Sequence, residues 1–361
     1  MTRCLGLAVG GEVQRSGEVT IAACLTVVGL GVSAVFGLLS SEGILHFDDL
    51  THYLYANWAW QWPEYLLDEW GRPGFTALYF LPARFGWAAC RGLSALLTAG
   101  SAWLAFRIAQ RMGLRHAWAA VLLCYAQPLF FQLSQTTLTE TPLAFYLTAG
   151  VYLAQRGRWS FSAALLSLGF VTRHEAIIFL PVWVFFAWRE GVKPWRLWPI
   201  LWAPLVVNAL APLAGLQPAI YRLLEPEPSG QYGHGGWLTF FCRSMEAWGP
   251  GVMVLAMVGL AAAWRKERGG RLVVTCVVTY FSVQTVIRAL GLFDSGGYAR
   301  FLVAVSPLVA VTALAGWQQL WAARLRRRRA AVILTAASMI LLWLAMERQF
   351  VLHEARIDPA A

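Results

Sequence analysis

Charge is scarce in this sequence. Asp, Glu, Lys and Arg make up 13% of its 361 residues, and only 19 are acidic, too few to coat the surface of a water-soluble globule of this size. Cysteine is equally thin. Cys4, Cys24, Cys90, Cys124, Cys242 and Cys276 are scattered without metal-ligand spacing, mostly in or beside apolar runs. That scatter argues against a zinc site and against a disulfide framework, with a Cys90–Cys242 bridge the one pairing left open. No internal repeat or low-complexity linker divides the chain, so a single transmembrane domain over residues 1–361 is expected.

What is abundant is apolar. Hydrophobic residues reach 58%, with 19 Trp suited to the interface between hydrocarbon and headgroups. At about twenty residues per crossing, helices are expected near 18–40, 87–106, 117–134, 142–155, 160–173, 176–188, 197–215, 250–264, 272–290, 301–320 and 330–346, the break at "VTRHEA" being the weakest. The fold class is therefore all-α and polytopic, with about eleven spans. The first apolar run is too long for a signal-peptide core and reads as a retained helix.

The net charge of +10 does not point to nucleic acid, because the basic residues lie between the apolar spans. With a cytoplasmic N-terminus, nineteen of the 29 fall in short cytoplasmic segments, including Arg107, Arg111 and Arg115, Arg265 to Arg271, and the run Arg324 to Arg329. Two long segments, about 41–86 and 216–249, then face the outside. In the first, Phe47, Leu50, Leu54 and Trp58 recur at helical spacing and Pro63 interrupts them, which predicts amphipathic helices lying on the membrane surface.

Ionisable residues collect at the external helix ends. Asp48 and Asp49 open the surface helix, where they either cap it or serve a site. Glu140, in "TTLTETP", lies at the outer end of the third span, in the first turn before Pro142. Arg173, His174 and Glu175 sit amid apolar sequence, where they are costly unless they pair or line a wet cavity. Asp294, Tyr298 and Arg300 precede the tenth span beside Gly296 and Gly297. Arg300 and Arg288 are open to a second reading as snorkelling cations. A mixed-sign cluster of this kind suits an anionic headgroup and a proton transfer, since Arg grips phosphate oxygens and a carboxylate takes a hydroxyl proton.

These features together resemble the GT-C class of membrane glycosyltransferases, which includes protein O-mannosyltransferases, aminoarabinose transferases and bacterial polyprenyl-phosphate-sugar enzymes. The resemblance rests on "FDDLTHY" after the first span, "RPGFTALYFLPARFG" before the second, "TTLTETP", "TRHEAIIFLP" and "GYARFLVAVSPL". It implies sugar transfer from a polyprenyl-phosphate donor to a hydroxyl of a lipid, glycan or protein acceptor at the outer face of a bacterial inner membrane. It also implies an acidic pair Asp48 and Asp49 joined by Glu140, with the donor phosphate held by Arg173, Arg300 and Tyr298.

On that reading Asp48 is the base and displacement inverts the anomeric centre. His52 and Asp49 support the base, and His174, Glu175 and His234 stand near the acceptor or the site. A divalent ion is left open as a cofactor, and Asp48, Asp49 and Glu140 are the residues that would hold it. One departure is the lack of a large soluble stretch after the eleventh expected span, so acceptor recognition is not carried over from members that have one. The rivals are a lipid-linked-sugar transporter or flippase, an O-antigen-ligase or polymerase type of enzyme using diphosphate-linked donors, and a purely structural membrane scaffold.

Overall fold

The computed structural model describes residues 2–39, 47–217, 232–266, 269–293 and 295–322. The expected span 330–346, the Arg324 to Arg329 run, Asp294 and the 218–231 part of the second long segment lie outside these residues. Among the described residues the chain is helical, with no strand. Five stretches are long and apolar enough to cross a membrane: Ser16–Leu39, Trp87–Arg111, Pro194–Ala214, Gly270–Leu290 and Ala299–Trp321. A sixth arises if α11 (Thr239–Trp248) and α12 (Pro250–Trp264), bent by 113°, count as one broken span.

The eleven expected spans therefore do not all appear as full crossings. The run 117–134 is split into α5 (Ala119–Tyr125) and α6 (Pro128–Leu133). The cause is local: the ring of Pro128 forces Gln127 into extended backbone (φ −86°, ψ 120°) and ends the first piece. The runs at 142–155, 160–173 and 176–188 become α7 (Glu140–Gln155), α8 (Trp159–Thr172) and α9 (Phe179–Arg189), of 16, 14 and 11 residues. Each is shorter than the twenty or so residues a crossing needs. The chain turns between α8 and α9 where Arg173 is extended (φ −149°, ψ 125°).

Helix α1 (Thr2–Leu39) carries the apolar stretch Ser16–Leu39, which runs along the outside with Val27, Val28, Leu38 and Leu39 exposed, as suits a helix that faces lipid. The centre of the bundle is α14 (Ser306–Ala322), whose residues from Leu308 to Ala315 are almost entirely buried. It packs against α12, α5, α4 (Trp87–Arg111) and α13 (Gly270–Leu290). The approach to α12 is close enough that small residues are needed: a Cβ on Gly259 would lie 1.8 Å from the Thr312 carbonyl oxygen, and one on Gly316 2.0 Å from that of Leu255. The cysteines at 24, 90, 124, 242 and 276 are all free, so Cys90 and Cys242 are not bridged.

After α1 come α2 (Phe47–Trp58), a 3-10 turn at Pro63–Leu66 and α3 (Pro73–Ala83). Helix α2 buries Asp49, His52 and Ala56, spaced along one face, so its inward stripe is partly polar. That polarity is paired with polar groups inside the bundle. Helix α3 lies directly on α8, since a Cβ on Gly74 would meet Thr172 Oγ1 at 2.3 Å and the Leu168 carbonyl at 2.5 Å.

Candidate active site

Four separated pieces of chain meet at one end of the bundle. They are the start of α2, the first turn of α7 with the turn before it, the break between α8 and α9, and the 3-10 segment Ala299–Val305. The sequence places acidic and basic side chains at each, and the fold joins them into an alternating line. Arg300 Nη2 donates to Asp48 Oδ2 at 2.5 Å, and Arg300 Nε lies 3.4 Å from Glu140 Oε1. Arg173 Nη1 donates to the same Glu140 oxygen at 2.7 Å, and Arg173 Nε to Glu175 Oε1 at 2.6 Å. Gln284 Nε2 (3.3 Å) and Tyr280 OH (3.4 Å) complete the Glu175 end.

Burial grades along this line. Glu140 is wholly inaccessible, Arg300 is 9% exposed, and the Asp48 side chain is 41% exposed. The line is thus closed at Glu140, partly accessible at Arg173 and Glu175, and most open at the Asp48 carboxylate. Both guanidiniums also lie over aromatic faces, Arg173 over Phe301 at 4.6 Å and Arg300 over Tyr298 at 5.0 Å. Arg300 Nη1 and Glu140 Oε2 are buried with no hydrogen-bond partner, a state that costs about 1–3 kcal/mol per group until a ligand or water satisfies it.

Asp49 points the other way. Its carboxylate accepts from Thr137 N at 2.5 Å and from the Thr137 hydroxyl, while Arg91 Nε donates to the Gln135 carbonyl at 2.5 Å. The turn that carries Glu140 is therefore pinned by α2 and α4. His52 is buried against Phe75, with ring centroids 5.3 Å apart and Nδ1 without a hydrogen-bond partner. Burial, and then the Arg72 charge, hold its pKa down at about 3 against the Asp48 carboxylate, so the ring is neutral at physiological pH. Burial pushes the Glu175 carboxyl up, but the Arg173 charge and hydrogen bond outweigh it and hold the group at about 2. Burial and the Tyr232 hydroxyl push Tyr298 up to about 12.

A second group adjoins the line. Arg72 Nη1 donates to His174 Nδ1 at 2.7 Å, and because guanidinium has no acceptor the ring proton must sit on Nε2, which faces Glu69 Oε1 at 3.9 Å. Arg72 holds a left-handed backbone (φ +60°), uncommon for any residue but glycine. His234 is outside this constellation: it is exposed in the loop that Gly235 N fastens to the Arg288 carbonyl at 2.9 Å.

Asp48, Glu140, Arg173, Glu175, Tyr298 and Arg300 are thus brought together, His52 and His174 border them, and Asp49 supports them from behind. Among the described residues, no three His, Cys, Asp or Glu side chains are grouped to hold a metal ion. Asp48, Asp49 and Glu140 are separated by their own partners and do not form such a set. Sequence reasoning did not single out Arg72, Thr137, Tyr280, Gln284 or Phe301. Arg72 had a signal, its place in "RPG" just before a helix; the others look like ordinary helix and turn residues.

No curated protein matches the chain. The family model for dolichyl-phosphate-mannose-protein mannosyltransferase matches residues 27–216, just over half of the chain, a region that holds Asp48, Asp49, Glu140, Arg173 and Glu175. The chain belongs to that family of membrane glycosyltransferases, in the GT-C class.

Proposed function

We propose that this protein transfers a sugar of the mannose type from a polyprenyl-phosphate donor to an acceptor hydroxyl on the non-cytoplasmic face, with Asp48 as the base. The family supplies the donor class. The observation that carries the reading is the ion-paired line from Asp48 through Arg300 to Glu140 and Arg173, open at the Asp48 end. In the transfer, Asp48 takes the proton as the acceptor oxygen attacks the anomeric carbon. The bond from that carbon to the phosphate oxygen breaks and polyprenyl phosphate departs.

Charge then grows on the leaving oxygen, where a fixed cation is most effective. Arg300 is the better placed phosphate ligand, because its Nη1 hydrogens are uncommitted. Arg173, committed to Glu140 and Glu175, assists by holding Glu140 toward sugar or acceptor hydroxyls. One displacement with one base inverts the anomeric configuration. The basic segments between helices support a cytoplasmic N-terminus and a site on the opposite side.

The test is reconstitution with polyprenyl-phosphate-linked radiolabelled mannose and a membrane extract as acceptor source. Label bound covalently to an extract component, with release of polyprenyl phosphate, supports the reading. Label that only crosses the vesicle wall, or that moves only from a diphosphate-linked donor, overturns it.

A further inference from the structure

The opposite end of the bundle carries a different kind of site. Helix α4 runs from Trp87, whose indole donates to Thr137 in the Glu140 turn, to Arg111, which donates to the Gln155 carbonyl at the far end of α7. Beyond it, between residues 114 and 122 and the ends of α12 and α14, lies a cavity of about 700 Å³, within the range that small ligands occupy (about 300–1,000 Å³). Leu122, Leu314 and Trp118 give it an apolar lining, and Trp317 and Trp321 stand at its mouth with rings stacked 6.0 Å apart. Both are exposed, as aromatic residues at a headgroup boundary are.

The rim is cationic. Arg115 and Lys266 both line it, and among the described residues no acidic side chain does. Neither side chain has a carboxylate partner among the described residues, in contrast to Arg173 and Arg300, which do. The Arg115 turn is also fixed: its backbone N–H donates to Gln318 Oε1 (3.2 Å) and its carbonyl accepts from Gln318 Nε2 (2.6 Å). An apolar hollow between membrane helices, edged by Trp and by two cations, one of them on a held turn, is complementary to one phosphate headgroup with an acyl chain.

We propose that this cavity binds an anionic glycerophospholipid, its phosphate between Arg115 and Lys266 and its chain against Leu122 and Leu314. The site is separate from the transfer chemistry and stands whether or not the proposed function does.

A photoreactive benzoylphenylalanine at Leu122 in the full chain, reconstituted in mixed phosphatidylcholine and phosphatidylglycerol vesicles, identifies the occupant by mass. The expected product is a phosphatidylglycerol adduct enriched about tenfold over its share of the bilayer, enrichment that Arg115→Gln with Lys266→Gln removes. Arg156→Gln with Arg158→Gln, a same-sized charge loss at the end of α7, leaves it in place. Adducts in the bilayer ratio, an equal loss in the α7 variant, or cross-linking to residues 323–361 of the same chain would overturn the proposal. The lipid ratio in the parent protein decides the matter even if the double variant fails to fold.

Discussion

Replacing Glu140 by Gln keeps its shape and removes its charge from between two guanidiniums. Glu140 is fully buried, with Arg173 at 2.7 Å and Arg300 at 3.4 Å from the same oxygen. At an effective dielectric of about 20, attraction at such distances is roughly 5–6 kcal/mol per pair before desolvation is counted. Breaking a buried pair from one side typically costs about 3–5 kcal/mol. Here each guanidinium keeps a second carboxylate, Asp48 for Arg300 and Glu175 for Arg173, so the loss belongs near about 3 kcal/mol. Reversible unfolding in mixed micelles, followed by tryptophan fluorescence, measures it. In a double-mutant cycle with Arg173→Gln the two losses should fall short of adding by roughly 1–3 kcal/mol. A Glu140→Gln variant within about 0.5 kcal/mol of the parent, or strict additivity with Arg173→Gln, would refute the reasoning.

Three further outcomes follow from the same geometry. The His52 imidazole sits at about 3 when folded against 6.5 in the unfolded reference, so below pH 6.5 the unfolded chain binds a proton that the folded chain refuses. Stability present above pH 6.5 is lost as pH falls toward 3, and His52→Asn should flatten that dependence between pH 6.5 and 4.5 in thermal melts. Asp49→Ala should cost about 1–3 kcal/mol by orphaning the Thr137 N–H, while the Thr137 hydroxyl keeps the Asp49 carbonyl as acceptor, and with Thr137→Val the two losses should fall short of adding by about 0.5–1.5 kcal/mol, the share of the carboxylate–hydroxyl contact; full additivity would argue against the contact. Gly259→Val should cost at least about 3 kcal/mol or abolish folded yield in detergent, because its Cβ has no room beside Thr312, whereas Gly31→Val, with nothing within 4 Å, should be neutral.

Much of the site was legible in the sequence because charge is so rare in it. Asp48, Glu140, Arg173 and Arg300 each stand out against apolar surroundings, and the expense of burying them implied partners. What could not be read was which partner each takes. Asp48 and Asp49 look alike in "FDDL", yet adjacent helical positions project about 100° apart, so one carboxylate meets Arg300 and the other meets Thr137. Thr137 and Gln284 carry no one-dimensional signal, since their roles arise only where the turn before α7 meets α2 and where α13 meets the break after α8.

The helical character was equally plain from composition, but the number of full crossings was not. Pro128 cuts one expected span, whereas the break at the extended Arg173 backbone falls where the sequence places it, and the runs on either side are too short to cross fully. A hydropathy run measures apolar length and not the continuity of hydrogen bonding. Arg72 precedes a proline, and in one dimension such a residue reads first as a helix boundary. Only the fold brings it to His174, across a hundred residues of chain.

The most direct measurement is sugar transfer by Asp48→Asn in purified, lipid-reconstituted protein supplied with polyprenyl-phosphate mannose and the membrane acceptor extract. Because the Arg300 and Glu140 contact remains, the variant should still fold and bind donor, yet transfer should fall by at least about a hundredfold. Transfer at the parent rate would contradict the assignment of Asp48 as base.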